Sequence, residues 1–155
     1  MEDADFEALW RAHYGSVVRT ALVVTGNVEE ARDVAQEAFA RAYQHWNRVA
    51  RLDRPESWVH RVATNLAISS ARRRRPRVPP PAVIEPPEPY DDRLAALVKA
   101  LTPAQRAVVA LRFYLDWSVE DVAHALGKRP GTVTALTHQA LERLRTEMSE
   151  EPRDG

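Results

Sequence analysis

Residues 72–77 read "RRRRPR", five arginines in six positions. Guanidinium groups at that density repel one another until a partner neutralises them. A nucleic-acid backbone, with phosphates at regular spacing, is suited to do so. A solvated basic helix end leaves that repulsion uncompensated. A second set is acidic: Glu29, Glu30, Asp33 and Glu37 follow helical spacing over two turns, interrupted by Arg32. That pattern fits a solvated or partner-facing helix side better than a metal site. The five histidines (His13, His45, His60, His124 and His138) are scattered, as packing or surface residues are. No G-x-S-x-G, H-E-x-x-H or glycine-rich phosphate loop occurs. There is no cysteine, which removes disulfides and thiolate zinc. The chemistry on offer is binding, with no cofactor, and a non-enzyme is expected.

A third candidate lies in "SVEDVAHALGKRPGTVTALTHQALERLR". A short helix, a glycine turn and a longer helix follow one another as in a helix-turn-helix. Val119, Val122, Ala123 and Leu126 are expected to pack against Val133, Ala140, Leu141 and Leu144. The first helix then braces the second, whose N-terminal residues face a major groove. The plain alternative is an αα-hairpin with no ligand. One feature is unusual for a groove-reading helix: no Lys or Arg stands between Pro130 and Glu142.

These residues need elements to hold them. The 155 residues allow one ordinary domain or two small ones, and 45% are apolar. The net charge of zero hides segregation: residues 1–40 carry −5, residues 41–77 carry +8 and residues 78–155 carry −3. Seven prolines in "RPRVPPPAVIEPPEP" predict a linker between two small helical domains. Boundaries at 1–75, 76–89 and 90–155 follow. Before the linker, apolar residues recur at helical spacing from Asp5 to Val24. Asn27 and Glu30 form a capping box for a second helix with Ala31, Val34, Ala35, Ala38, Phe39, Ala42 and Tyr43 on one stripe. "NRVARLDR" is a polar connection, and Pro55 and Glu56 open a third helix. After the linker, "YDDRLAALVKAL" starts a fourth helix. Thr102-Pro103-Ala104-Gln105 is a second capping box, Ser118 caps the next helix, Gly127 ends it and Pro130 opens the last. The fold class is all-α. The first residues do not resemble a signal peptide, and no apolar run is long enough to span a bilayer. A cytoplasmic protein without membrane insertion is expected. The tail after residue 146 is too short and polar for a further domain.

Three segments together resemble bacterial RNA polymerase sigma factors of the extracytoplasmic-function class, in a branch common among actinobacteria. The resemblance covers about residues 5–75 and 90–146. "ARDVAQEAFARAY" is similar to the helix that grips the clamp helices of the largest polymerase subunit. It implies core-polymerase contacts at Asp33, Gln36, Glu37 and Phe39. "RPESWVHRVATNLAISSARRRR" is similar to the helix that captures and opens the minus-ten element. Such a site needs pockets for an unstacked base and cations for the single strand. His60, Arg61, Thr64 and Asn65 are implied for the first, with Trp58 a core residue. Arg72, Arg73, Arg74 and Arg75 are implied for the second. The loop "WNRVARLDR" holds the flipped base in this class, which implicates Asn47, Arg48 and Arg51.

The third segment, "LTPAQRAVVALRFYLDWSVEDVAHALGKRPGTVTALTHQALERLR", is similar to the domain that reads the minus-thirty-five element. The resemblance implies contacts at Lys128, Arg129, Thr132, Thr134, His138, Gln139 and Arg143. The class usually has Lys after Gly-Thr-Val, and often Arg five residues later; here Thr134 and Gln139 stand there. The implied function is promoter-specific initiation, with core polymerase and promoter DNA as partners and an anti-sigma factor as a possible further one. Two other readings remain: a stand-alone helix-turn-helix regulator, and a sigma-like protein whose second domain docks a partner.

Overall fold

Side chains that can accept a backbone N–H set where the helices of this chain begin. In the computed structural model, which describes residues 2–73 and 96–150, helix α1 spans Glu2–Thr25 and ends at Gly26, whose φ of 69° is left-handed. Helix α2 spans Val28–Gln44. Its cap is Asn27, whose Oδ1 accepts the Glu30 N–H at 3.0 Å. Where the sequence predicts a polar connection, a one-turn helix α3 forms over Trp46–Val49, because Trp46 and Val49 are both buried and anchor it. Helix α4 then runs from Pro55 to Arg73. The chain divides into two compact units, Met1–Pro87 and Glu88–Gly155. The proposed linker 76–89, the helix start at 90–95 and the end of the tail, 151–155, lie outside the described residues.

The first unit is a three-helix body in which α1, α2 and α4 pack on one another. Val17, Ala21, Leu22, Ala31, Ala35, Ala38, Val59, Ala63 and Ala67 fill its centre. The many alanines let the helices approach closely, and the bulk is supplied at one end by aromatic rings. Phe6 meets Phe39, Tyr43 and Trp46 edge-on at 6.3, 5.1 and 5.5 Å. Trp10 stacks on Tyr14 at 4.2 Å and meets Phe39 at 4.9 Å. Such pairs add about 0.5–1.5 kcal/mol each beyond their burial.

The second unit is built on turns. Leu101 and Val98 are buried just before α5 (Pro103–Val109), and the Arg106 guanidinium ties that preceding turn down by donating to the Val98 and Lys99 carbonyls. The Thr102–Gln105 capping box is complete in both directions. The expected α-helix through Leu115 instead widens into a π-turn over Ala110–Tyr114, closed by Leu115 N–H to the Ala110 carbonyl at 3.1 Å. The extra residue turns Leu111 into the core while Phe113 and Tyr114 stay exposed. Helix α6 (Val119–Leu126) is capped by Ser118, whose Oγ accepts the Asp121 N–H at 3.1 Å. Gly127, at φ 64°, ends it in the left-handed conformation that glycine adopts without strain. Pro130 opens α7, which runs to Glu150. Val108, Leu111, Val122, Ala123 and Val133 form the core, with Val119, Leu126 and Leu136 packed against it. Leu141, expected in that core, is 40% exposed, whereas Val133 and Ala140 are fully buried. Among the described residues every regular element is helical.

Candidate nucleic-acid and partner surfaces

Helix α2 separates its chemistry by face. Asp33, Gln36 and Glu37 are exposed, whereas Ala31, Val34, Ala35, Ala38 and Ala42 are buried. Glu37 accepts from Arg41 Nε at 2.9 Å in an exposed i,i+4 pair, a weak tie that a partner can displace. Phe39 does not belong to this surface. It is 1% exposed and sits among Phe6, Trp10 and Tyr14, where it anchors the helix in the core. Tyr43, one turn on, is the exposed aromatic, 53% accessible, with its hydroxyl donating to Asp3 at 3.0 Å.

Helix α4 splits the residues implicated in base capture. Arg61 and Asn65 are exposed, as are Arg72 and Arg73. Ser69 lies one turn after Asn65 and completes an exposed stripe along one side of the helix. Its i+4 spacing from Asn65 was the signal available in the sequence. His60 and Thr64 are on the other side. Thr64 is fully buried and donates from its hydroxyl to the His60 carbonyl at 2.6 Å. His60 is 4% exposed, with Nε2 lying 3.4 Å from Ser16 Oγ. Burial first, and then the neighbouring His13, lower its pKa to about 4, so it is neutral at physiological pH. Both residues, implicated in base capture by the sequence, are interior polar groups with little or no accessible surface. Trp58, expected in the core, is half-buried. Asn47 and Arg48 project from α3 and Arg51 follows it, all exposed. The buried Trp46 and Val49 leave that short helix only this outward side. Arg74 and Arg75 lie outside the described residues.

In the second unit, Arg129, Thr132, Thr134, His138, Gln139 and Arg143 are exposed and Lys128 is half-buried. Three of these side chains are engaged within α7. Thr134 Oγ1 donates to the Pro130 carbonyl at 3.1 Å. His138 lies 3.4 Å from Glu142, and Arg143 pairs with Glu147 at 3.1 Å. Gln139 differs, because its partner comes from another helix: Gln105 Nε2 approaches its Oε1 at 3.4 Å. Nothing in the sequence pairs these two residues. The first turns of α7 therefore present a surface that is polar but almost uncharged, with Arg129 and Lys128 at its edge.

Among the described residues, no group of three or more His, Asp and Glu side chains comes together as a metal site, and no helix is long and apolar enough to cross a membrane.

Comparison with known proteins gives a family match for each unit. The family model for sigma-70 region 2 matches residues 9–77, and that for sigma-70 region 4 matches residues 91–144. The RNA polymerase sigma-E factor of Streptomyces coelicolor is 34% identical over 155 residues, covering 95% of this chain and 88% of the relative. The ECF RNA polymerase sigma factor SigL of Mycobacterium tuberculosis is 32% identical over 162 residues, covering 96% and 92%. In fold, the chain is similar to the sigma factor RpoE from Bartonella quintana, crystallised with the anti-sigma factor NepR. The TM-score is 0.73 at 17% identity, over 96% of this chain and 99% of that one.

Proposed function

This chain belongs to the sigma-70 family, in its extracytoplasmic-function class of the actinobacterial type, and on that premise we propose how its surfaces divide the work of promoter-directed initiation. As a sigma factor it binds core RNA polymerase and directs it to promoters. The exposed side of α2, with Asp33, Gln36 and Glu37, docks the clamp helices of the largest polymerase subunit. Carboxylates and an amide at helical spacing suit a basic, polar partner helix, because each can pair without desolvating the alanine face behind it.

The exposed side of α4 and the α3 turn take the minus-ten element. Arg61, Asn65, Ser69, Asn47, Arg48 and Arg51 supply hydrogen bonds to an extruded base and its sugar, and Arg72–Arg75 hold the single strand by charge. The second unit reads the minus-thirty-five element through Thr132, Thr134, His138 and Gln139, with Lys128, Arg129 and Arg143 on phosphates. The protein does no covalent chemistry of its own and acts in the cytoplasm, where polymerase and promoter are.

The observation that carries this reading is the placement of one acidic and one basic exposed helix side on a single small unit. Co-elution with core polymerase and run-off transcription from a promoter library test it: a stable complex and template-dependent transcripts are expected. No complex and no transcript from any template would overturn it. The paired substitution Asp33→Lys and Glu37→Lys is expected to weaken the complex by about a hundredfold with unchanged thermal melting.

A second reading has a specific observation behind it. Phe113 and Tyr114 are exposed on the π-turn of the same unit whose last helix begins with little charge, which suits a second unit that docks a protein. A footprint confined to the minus-ten region would favour that reading.

A further inference from the structure

The side-chain amide of Gln105 has both of its ends assigned by chemistry. Its Oε1 lies 3.1 Å from the backbone N–H of Thr102, and only the oxygen of an amide can accept that bond. The other end, Nε2, is therefore the one that reaches α7, where it lies 3.4 Å from Oε1 of Gln139. A donor needs an acceptor, so the network turns the Gln139 oxygen toward Gln105 and leaves its NH2 as the end for another partner. The Gln105 backbone N–H bonds Thr102 Oγ1 at 3.2 Å, which closes the box and holds the whole residue.

We infer that Gln105 is a positioning residue for promoter recognition: from the first turn of α5 it sets which end of the Gln139 amide faces the DNA. The inference rests on the proposed reading that α7 enters the minus-thirty-five groove. A glutamine whose two ends are both free reads adenine, accepting from N6 and donating to N7. With its oxygen engaged, Gln139 offers mainly N–H donors. Those fit the acceptors O6 and N7 of guanine or O4 of thymine, and they disfavour cytosine, whose major-groove edge offers a donor. Specificity at this position then comes from a cap outside the helix-turn-helix.

Gln105→Glu isolates this effect. A carboxylate serves the capping box equally well, so the helix start is kept. A carboxylate cannot donate, however, so the Gln139 amide must rotate and present its Nε2 inward and its oxygen outward. The test is selection of bound templates from a library randomised across the upstream element, using the full chain with core polymerase.

For the unaltered chain, one position should favour guanine or thymine over cytosine by about fivefold. In Gln105→Glu the preference at that same position should move to adenine or cytosine, while the other positions keep their pattern. The added negative charge lowers affinity for all sequences alike, so base preference is the readout. Gln105→Ala should flatten the preference at that position. Two failures are distinguishable. If Gln139→Ala changes no position, α7 does not read DNA through this residue, and the inference falls with the reading beneath it. If Gln139→Ala flattens one position but Gln105→Glu leaves the preference there as it was, the reading stands and Gln105 does not position the amide.

Discussion

The two units differ in the charge of the helix sides they expose. The first exposes many cations (Arg48, Arg51, Arg61, Arg72 and Arg73) alongside Asn47, Asn65 and Ser69, and buries His60 and Thr64. The second presents Thr132, Thr134, His138 and Gln139 outward and has no Lys or Arg between Pro130 and Glu142. Charge buys affinity that falls with salt, whereas neutral hydrogen-bonding groups add discrimination and little long-range attraction. A chain built this way should hold DNA mainly through its first unit and read upstream sequence with its second. The cores differ in the same sense. Aromatic rings and close alanine faces hold the first, while caps and a π-turn shape the second.

The largest expected effect tests the aromatic core. Phe39→Ala should cost the first unit about 4 kcal/mol, read as a lower denaturant midpoint of the full chain. If core binding fell with no change in that midpoint, Phe39 would be a contact residue after all and the division of α2 into two faces would fail.

Next comes the interior polar pair. Folding lowers the His60 pKa from 6.5 to about 4, so the unfolded chain takes up the proton more readily. Stability from a neutral His60 is then full above pH 6.5 and is lost as pH falls toward 4, by about 3 kcal/mol in all. Unfolding curves at pH 7, 5 and 4 should show this decline, and His60→Gln should flatten it. An equal decline in the variant would assign the acid sensitivity to other groups.

The third prediction separates charge from contact. Replacing Arg72–Arg75 with Ala should weaken open-complex formation far more than core binding, and lower the salt slope of DNA binding by about 3. Equal losses in both would break the assignment of α4 to DNA. The smallest effect is at α7. Thr134→Lys should steepen the salt dependence of upstream-element binding by about 0.9. An unchanged slope would mean that this side of α7 does not approach phosphate.

Much of this architecture was legible residue by residue. Asn27, Thr102, Gln105, Ser118, Gly127 and Pro130 mark helix ends because each acts on its own neighbours, within four residues. The faces were harder. Periodicity shows which residues share a side of a helix, but α2 and α4 each pack against two neighbours, and the buried arc is wider than one stripe. His60 and Thr64 fall inside that wider arc, while Phe39 stands on the apolar stripe itself and only the family position suggested a surface there. The segment "WNRVARLDR" looked like a loop because its polar residues outnumber the two that anchor it, Trp46 and Val49.

The sequence by itself determined the all-α class, the helix ends marked by caps, glycine and proline, the charge segregation and the family, since all of these depend on local spacing or on residue type. Tertiary structure decided which side of each helix is accessible, where α5 widens into a π-turn, and that Gln105 meets Gln139 from 34 residues away. Those outcomes depend on which helices pack together and at what depth. No local rule contains that information, because the same stripe is buried or exposed according to the neighbour laid against it.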